Sequence, residues 1–140
     1  MKELLFNLIG KYKYDISIYT GEIFERRCQE EIIRSDEDQS SFVYIEFDFE
    51  NVKKQLDTPE DNFTFWEMFL ASLHKSNRAS DIIGLLENDS GIGMLLLDSK
   101  IEGWNRVKGR IEQMSESRGF TQAKKVLDNA VRPIVYPAWI

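Results

Sequence analysis

Two acidic side chains in one short stretch have the chemistry needed to hold a divalent cation. Glu46 and Asp48 are two residues apart within the alternating segment 42–49. Residues at this spacing point to the same face of an extended strand, and hard cations prefer carboxylate oxygens. No third acid has an obvious place nearby. The pattern therefore favours acids that are solvated near a strand end, or paired with a lysine, over a metal site.

A second charged pair, Arg78 and Asp81, lies at a junction between a helical pattern and an apolar run. The guanidinium of arginine offers a planar fork of donors that suits anions. The structural alternative is that Arg78 complements the dipole at the end of the helix, while Asp81 pairs with it or caps the start of the strand. R-x-x-D is a short pattern that often occurs by chance, so the structural interpretation is favoured.

Composition limits the classes of function. The chain has 140 residues, 42% of them hydrophobic, and a net charge of −6. We expect one domain, 1–140, with an N-terminal extension over 1–20 and a core over 21–140. The acidic charge opposes binding of nucleic acid and of anionic membranes. A single cysteine, Cys28, excludes an internal disulfide, and with one histidine, His74, a zinc site is not expected.

No targeting or membrane signal is visible in the sequence. No apolar segment approaches the length of a membrane span, and the N-terminus lacks the organisation of a signal peptide. We therefore expect a cytoplasmic protein that does not insert into membranes.

A predicted hairpin organises the chain. Two apolar runs, 82–86 and 92–97, flank the polar segment 87–91, where Asn88, Asp89 and Gly91 tolerate positive φ. This pattern predicts a tight turn. The second run is continuously apolar, which predicts a strand that is covered on both faces.

The remaining elements follow from periodicity, turn residues and caps. Residues 1–10 form an amphipathic segment that we expect to dock on the domain and to end at Gly10. Residues 11–19 are predicted to be an extended segment, with an edge strand as the favoured form, and residues 42–49 a strand. A helix over 20–36, capped by Thr20, is predicted to bury Ile23, Phe24, Cys28, Ile32 and Ile33. A helix from Thr58 to about 77 is predicted to bury Phe65, Trp66, Phe69, Leu70 and Leu73. A helix over 99–115, with a Ser99/Glu102 capping box, is predicted to bury Ile101, Trp104, Val107, Ile111 and Met114. A short helix over 121–130 carries Ala123, Val126, Leu127 and Ala130. Residues 133–140 are predicted to be an extended segment that two prolines restrict to a sheet edge or a sheet end.

This order contains a strand-helix-strand-strand-helix-strand core. That core predicts an α+β fold of ferredoxin-like or nucleotide-cyclase-like type, with helices packed on an antiparallel-rich sheet of four or five strands.

Four short segments match a known module in order and spacing. They are Asp15-Ile-Ser-Ile-Tyr-Thr-Gly21, Tyr44-Ile-Glu-Phe-Asp-Phe49, Arg78-Ala-Ser-Asp81 and Glu87-Asn-Asp-Ser-Gly91. Over about residues 15–115 the chain resembles the GGDEF domain, the nucleotide-cyclase-like module of bacterial diguanylate cyclases. In that family these segments correspond to the D-x-L-T-G opening, the metal-bearing first strand, the R-x-x-D motif and the signature hairpin turn.

The departures from the family pattern imply that this domain is not an enzyme. Glu87 and Asn88 fill the positions where the family has glycines, and Ser90 replaces an acid. The guanine-reading positions of active cyclases fall near Lys54 and Phe63, which lack the required donors and acceptors. We therefore expect a catalytically inactive domain with no cofactor, in which Glu46, Asp48 and Asp89 are the weak candidates for a metal site.

The resemblance leaves three hypotheses for function. In the family, R-x-x-D binds cyclic di-GMP, so Arg78 and Asp81 imply a receptor for that nucleotide. The alternative is a ligand-free protein-interaction domain or homodimer, linked to signalling or exopolysaccharide machinery, which would use the exposed aromatics expected near the termini: Tyr12, Tyr14, Tyr19 and Trp139. The third and least favoured hypothesis is a residual Mg²⁺ enzyme acting through Glu46, Asp48 and Asp89, because no general base or nucleophile accompanies those acids.

Overall fold

The computed structural model describes residues 1–76 and 81–138, without the side chains of residues 75 and 76. A three-residue turn, Glu87–Asp89, joins the strands Ile82–Leu85 and Gly91–Leu97. The elements in chain order are α1 (Lys2–Tyr12), β1 (Ile18–Tyr19), α2 (Gly21–Asp38), β2 (Phe42–Asp48), α3 (Phe49–Lys54), α4 (Pro59–Ser76), β3 (Ile82–Leu85), β4 (Gly91–Leu97), α5 (Ile101–Ser117), α6 (Ala123–Asn129) and β5 (Val131–Tyr136).

The five strands form one sheet in the order β1-β3-β4-β2-β5. The short β1 pairs with β3 in parallel, and the other neighbouring strands are antiparallel. The strands β2, β3, β4 and β5, with α4 and α5 between them, give the predicted ferredoxin-like core. The predicted α+β fold is confirmed, with β1 as an additional edge strand.

Alternation along β2 separates two environments, as predicted. Val43, Ile45 and Phe47 are fully buried, whereas the side chains between them are only partly covered. Phe47 packs against Phe69 of α4 and Trp104 of α5, with ring centroids 4.7 and 6.1 Å away. The main core therefore lies between the sheet and the α4/α5 layer. The side chains on the other face of β2 are partly exposed and could contact a ligand.

The N-terminal helix docks on this core. Leu5 and Leu8 of α1 are buried among core side chains. The prediction that this helix ends at Gly10 was wrong. The helix continues to Tyr12 and is capped by Lys13, which has φ of 55°. A glycine inside a helix lowers its stability but does not stop it when tertiary packing holds the helix.

The predicted buried face of α2 was wrong in part. Ile23, Ile32 and Ile33 are 44%, 39% and 58% exposed, whereas Glu31 and Ser35 are buried. The buried polar side chains are accommodated because they have partners: Glu31 pairs with Arg34, and the Ser35 hydroxyl donates to the Ser40 carbonyl oxygen. The position of the sheet, rather than hydrophobicity alone, decides which side of α2 is covered.

The predicted caps had mixed outcomes. Thr58 caps α4 through a 3.1 Å hydrogen bond from the Asp61 backbone N–H, as predicted. Thr20 occupies the N-cap position of α2 but makes no capping hydrogen bond with its side chain. The Ser99 capping box was wrong: Lys100 takes the N-cap position, and the Ser99 hydroxyl donates instead to the Leu97 carbonyl oxygen at 3.1 Å.

Other differences concern the ends of elements and one helix. The helix α3 was not predicted, and β2 ends at Asp48 because Phe49 begins that helix. Ile101, expected to be buried, is 39% exposed. The last strand begins at Val131, and Pro133 lies in it at the edge of the sheet, as expected of a proline. Within residues 1–76 and 81–138, no helix combines the length and apolar character needed to cross a membrane.

Candidate functional site

A groove of about 1050 Å³ lies on the face of the sheet opposite the α4/α5 layer. Its floor carries Tyr44 and Glu46 of β2 together with Ile134 of β5. One wall is α2, which contributes Glu25, and the turn at Glu87–Asp89 closes one end of the groove. Because Tyr44, Glu46 and Asp48 alternate with the core residues of β2, the period of that strand places them here. This surface, called the groove below, is the candidate site.

Two facing glycines bring α2 close to the hairpin. Gly84 of β3 and Gly93 of β4 are direct partners in the sheet. A Cβ atom at Gly84 would lie 2.3 Å from Cγ of Phe24, and one at Gly93 would lie 2.5 Å from Cε2 of the same ring. The Phe24 ring therefore occupies the space that two side chains would otherwise fill, and it fixes the depth of the groove at this end.

The segment 87–91 forms the tight connection that was predicted. It is closed by hydrogen bonds from the Asp89 N–H to the Leu86 carbonyl oxygen at 3.0 Å and from the Ser90 N–H to the Glu87 carbonyl oxygen at 3.2 Å. Asn88 and Asp89 adopt left-handed conformations, with φ of 58° and 53°. Gly91 begins β4, where a Cβ atom would lie 2.2 Å from the Phe47 carbonyl oxygen. The Phe49 N–H donates to the Ser90 carbonyl oxygen at 2.9 Å. The turn is thus held directly against the end of β2.

Two of the three candidate metal-binding acids, Asp48 and Asp89, make separate structural contacts. Asp48 caps α3, since its Oδ1 accepts from the Asn51 N–H at 3.0 Å. Asp89 forms an ion pair with Lys2 of α1, with Nζ and Oδ2 2.8 Å apart. Within the described residues, no group of three His, Cys, Asp or Glu side chains is arranged to hold a metal ion.

Two of these roles were missed by sequence reasoning. The capping role of Asp48 had a local signal, because an acid precedes a short run with Phe49 and Val52 at helical spacing. The Lys2–Asp89 pair had none, because its members are 87 residues apart in the chain.

The groove has a strongly acidic lining. Six carboxylates line it, on Glu22, Glu25, Glu46, Asp48, Glu87 and Asp89. Among the described lining residues, Arg132 is the single cation, and the sheet register places it directly opposite Glu46. Such a lining attracts cations and repels phosphate groups.

Burial also keeps two groove side chains neutral. It raises the pKa of the Cys28 thiol to about 11. Burial, and then the charge of Glu46, also raise the pKa of the Tyr44 phenol. Neither group therefore ionises in the groove near neutral pH.

The other candidate residues lie elsewhere or outside the described part of the chain. Arg78 and Trp139 fall outside the described residues. Asp81 is half-buried and directly precedes β3. Two of the aromatic residues that were expected to be exposed are exposed: Tyr12 is 42% exposed and Tyr19 is 40% exposed.

No family model matches the chain, and no curated protein matches it. Its arrangement of sheet and helices is the GGDEF cyclase-like fold. A DGC protein from Thermotoga maritima aligns with a TM-score of 0.59 at 15% identity, over 86% of this chain and 83% of that one. Two structures of the GGDEF domain of YfiN (TpbB) from Pseudomonas aeruginosa align with TM-scores of 0.56 and 0.55 at 14% and 16% identity, over 86% of this chain and 73% and 78% of theirs. At these identities the similarity concerns the fold.

Proposed function

We propose that this chain is a non-catalytic signalling domain built on the GGDEF-like fold. The observation that carries the proposal is the separate engagement of the acids at the end of the groove. Asp48 caps a helix and Asp89 pairs with Lys2. Cyclisation of two GTP molecules requires metal, guanine recognition and close approach of the phosphates at once. The structural contacts of Asp48 and Asp89 oppose the first requirement, and this supports the proposal.

The shape and charge of the groove also oppose triphosphate binding. Glu87 and Asn88 place side chains where a close backbone approach to phosphate requires glycine. The surrounding carboxylates repel the phosphates, and Arg132 stands opposite Glu46. We therefore expect a nucleoside triphosphate to bind this surface weakly.

Incubation with GTP and Mg²⁺ tests the absence of catalysis. We expect no cyclic di-GMP and no pyrophosphate above the protein-free blank, measured by chromatography. Asp48→Asn is the matched control, because asparagine retains the N-cap of α3 while removing a metal ligand. Turnover by the wild type that Asp48→Asn removes would refute the proposal.

The ligand that we propose for this domain is cyclic di-GMP, bound through Arg78 and Asp81. The proposal rests on the R-x-x-D motif and on its position directly before β3 and five residues before the turn at 87–91. The arginine fork can donate to guanine or phosphate, and the carboxylate can accept from guanine N–H groups.

Calorimetric titration with cyclic di-GMP tests this receptor function. We expect saturable heat with the wild type and none with Arg78→Ala, at an almost unchanged melting temperature. Arg110→Ala, at an exposed position of α5, is the control that should retain binding. Absence of binding heat with the wild type at high micromolar cyclic di-GMP would refute the receptor proposal.

A second candidate function, protein interaction, is favoured by exposed apolar side chains. Ile32 and Ile134 are 39% and 51% exposed, on α2 and β5. Such residues are typical of contact surfaces when they lie near one another. Light scattering over a range of concentrations tests self-association, and a strict monomer would count against a homodimer.

A further inference from the structure

The groove exposes apolar surface that the described residues do not cover. Phe42 and Tyr136 stack across β2 and β5 at 5.2 Å, where Phe42 is buried and Tyr136 is half-buried. Beside them, Ile134 is 51% exposed, and Ile32 on the α2 wall is 39% exposed. Burial of an exposed isoleucine by a partner is worth up to about 1.5–3 kcal/mol. The groove therefore has an apolar floor and wall with which a partner can pack.

Exposed carboxylates border this apolar surface on two elements. Glu25 projects from α2, and Glu87 projects from the turn that closes one end. Glu46 lies on the floor between these elements. A lysine or arginine side chain can place its aliphatic stem along the apolar floor and its charge near these acids.

The charge of the groove distinguishes between the molecules that could bind in it. A second copy of this chain would bring another net charge of −6, and nucleic acid or anionic lipid would be repelled. A segment that combines basic and aliphatic side chains complements both the charge and the apolar surface.

We propose that the groove docks a basic, partly aliphatic segment of a partner protein. This inference rests on the second candidate function and names the chemistry of the partner. It does not depend on cyclic di-GMP binding at Arg78 and Asp81. Asp81 is not among the described residues that line the groove, and Arg78 is outside the described part of the chain.

The test uses a defined probe and the whole chain. The probe is a fluorescein-labelled peptide of about 14 residues in which lysine and leucine recur at helical spacing. Its binding is followed by fluorescence anisotropy near physiological salt, where contacts between distant surface charges are largely screened. We expect saturable binding that a peptide with glutamate in place of lysine does not show.

Matched variants separate groove binding from general attraction. The double variant Glu25→Lys/Glu87→Lys should weaken binding by about tenfold or more. Glu102→Lys/Glu116→Lys makes the same change in net charge at exposed sites on α5 and should alter binding by less than about twofold. Equal weakening by the two double variants, or no saturable binding at all, would overturn the proposal.

Two neighbouring isoleucines test the apolar part. Ile32 lines the groove, whereas Ile33 is exposed outside its lining. We expect Ile32→Gln to weaken peptide binding about threefold to tenfold, and Ile33→Gln to leave it unchanged within about twofold. Equal effects would overturn the apolar contact. Because the charge variants leave Arg78 and Asp81 intact, failure of this test would leave the receptor proposal standing.

Discussion

At the scale of single residues, Gly91 is the position where the turn depends on the smallest side chain. A Cβ atom there would lie 2.2 Å from the Phe47 carbonyl oxygen, so Gly91→Ala forces β4 away from β2. We expect it to lower the free energy of unfolding by about 1–3 kcal/mol or more, measured by urea denaturation. Gly10→Ala is the control, because nothing lies within 4 Å of that position and α1 is helical there. It should raise stability by up to about 1 kcal/mol. Similar changes in both variants would contradict the steric argument.

Cys28 provides a second prediction at this scale, because burial raises its pKa from 9.0 to about 11. The thiolate is the reactive form, and its fraction falls about tenfold per pKa unit. At pH 8 we expect iodoacetamide to alkylate Cys28 at least about 100-fold more slowly in the native protein than in urea. Nearly equal rates would contradict the raised pKa.

The raised pKa of Cys28 also makes the free energy of unfolding depend on pH. The folded pKa lies above the unfolded one, so unfolding releases a proton between about pH 9 and 11. The contribution of this thiol is therefore fully present below pH 9 and is lost as the pH rises toward 11.

At the scale of elements, α1 behaves as part of the core although it precedes all five strands in the chain. Leu5 is fully buried, whereas its neighbour Phe6 is 44% exposed. We expect Leu5→Ala to lower the free energy of unfolding by about 2–5 kcal/mol. Phe6→Ala should change it by less than about 1 kcal/mol. Equal effects in chemical denaturation would show that α1 is not docked as described.

How well each element could be predicted depended on how much of its environment is local. The strand β2 was predicted correctly because alternation with period two directly encodes its two faces. The buried face of α2 was predicted only in part, because Ile32 and Ile33 are apolar yet exposed, while Glu31 is buried beside Arg34. Hydrophobicity indicates that a helix has an apolar side but does not indicate how much sheet is available to cover it.

The candidate site shows the same division. The acids at 46, 48 and 89 and the turn could be located from sequence. Their partners could not be predicted, because Lys2 and Asp89 are 87 residues apart in the sequence. The groove itself arises from β2, β5 and α2 together, and its assembly depends on the order of strands rather than on any motif.

At the scale of the whole molecule, the sheet should set the hierarchy of local stability. The strand β4 pairs on both sides, with β2 and β3, and six of its seven residues are buried. The edge strand β1 has two residues and pairs only with β3 in the described structure. Amides of β4 should therefore exchange hydrogen only through global unfolding, at about 5–15 kcal/mol.

Hydrogen exchange followed by NMR measures this hierarchy. We expect protection to be highest in β4 and β2, lower in the edge strand β5, and lowest in β1, because opening an edge breaks fewer hydrogen bonds and exposes less apolar surface. Faster exchange in β4 than in β5 would contradict the position of β4 inside the sheet. It would also remove the support for the groove, because the floor on β2 is fixed by its pairing with β4 and β5.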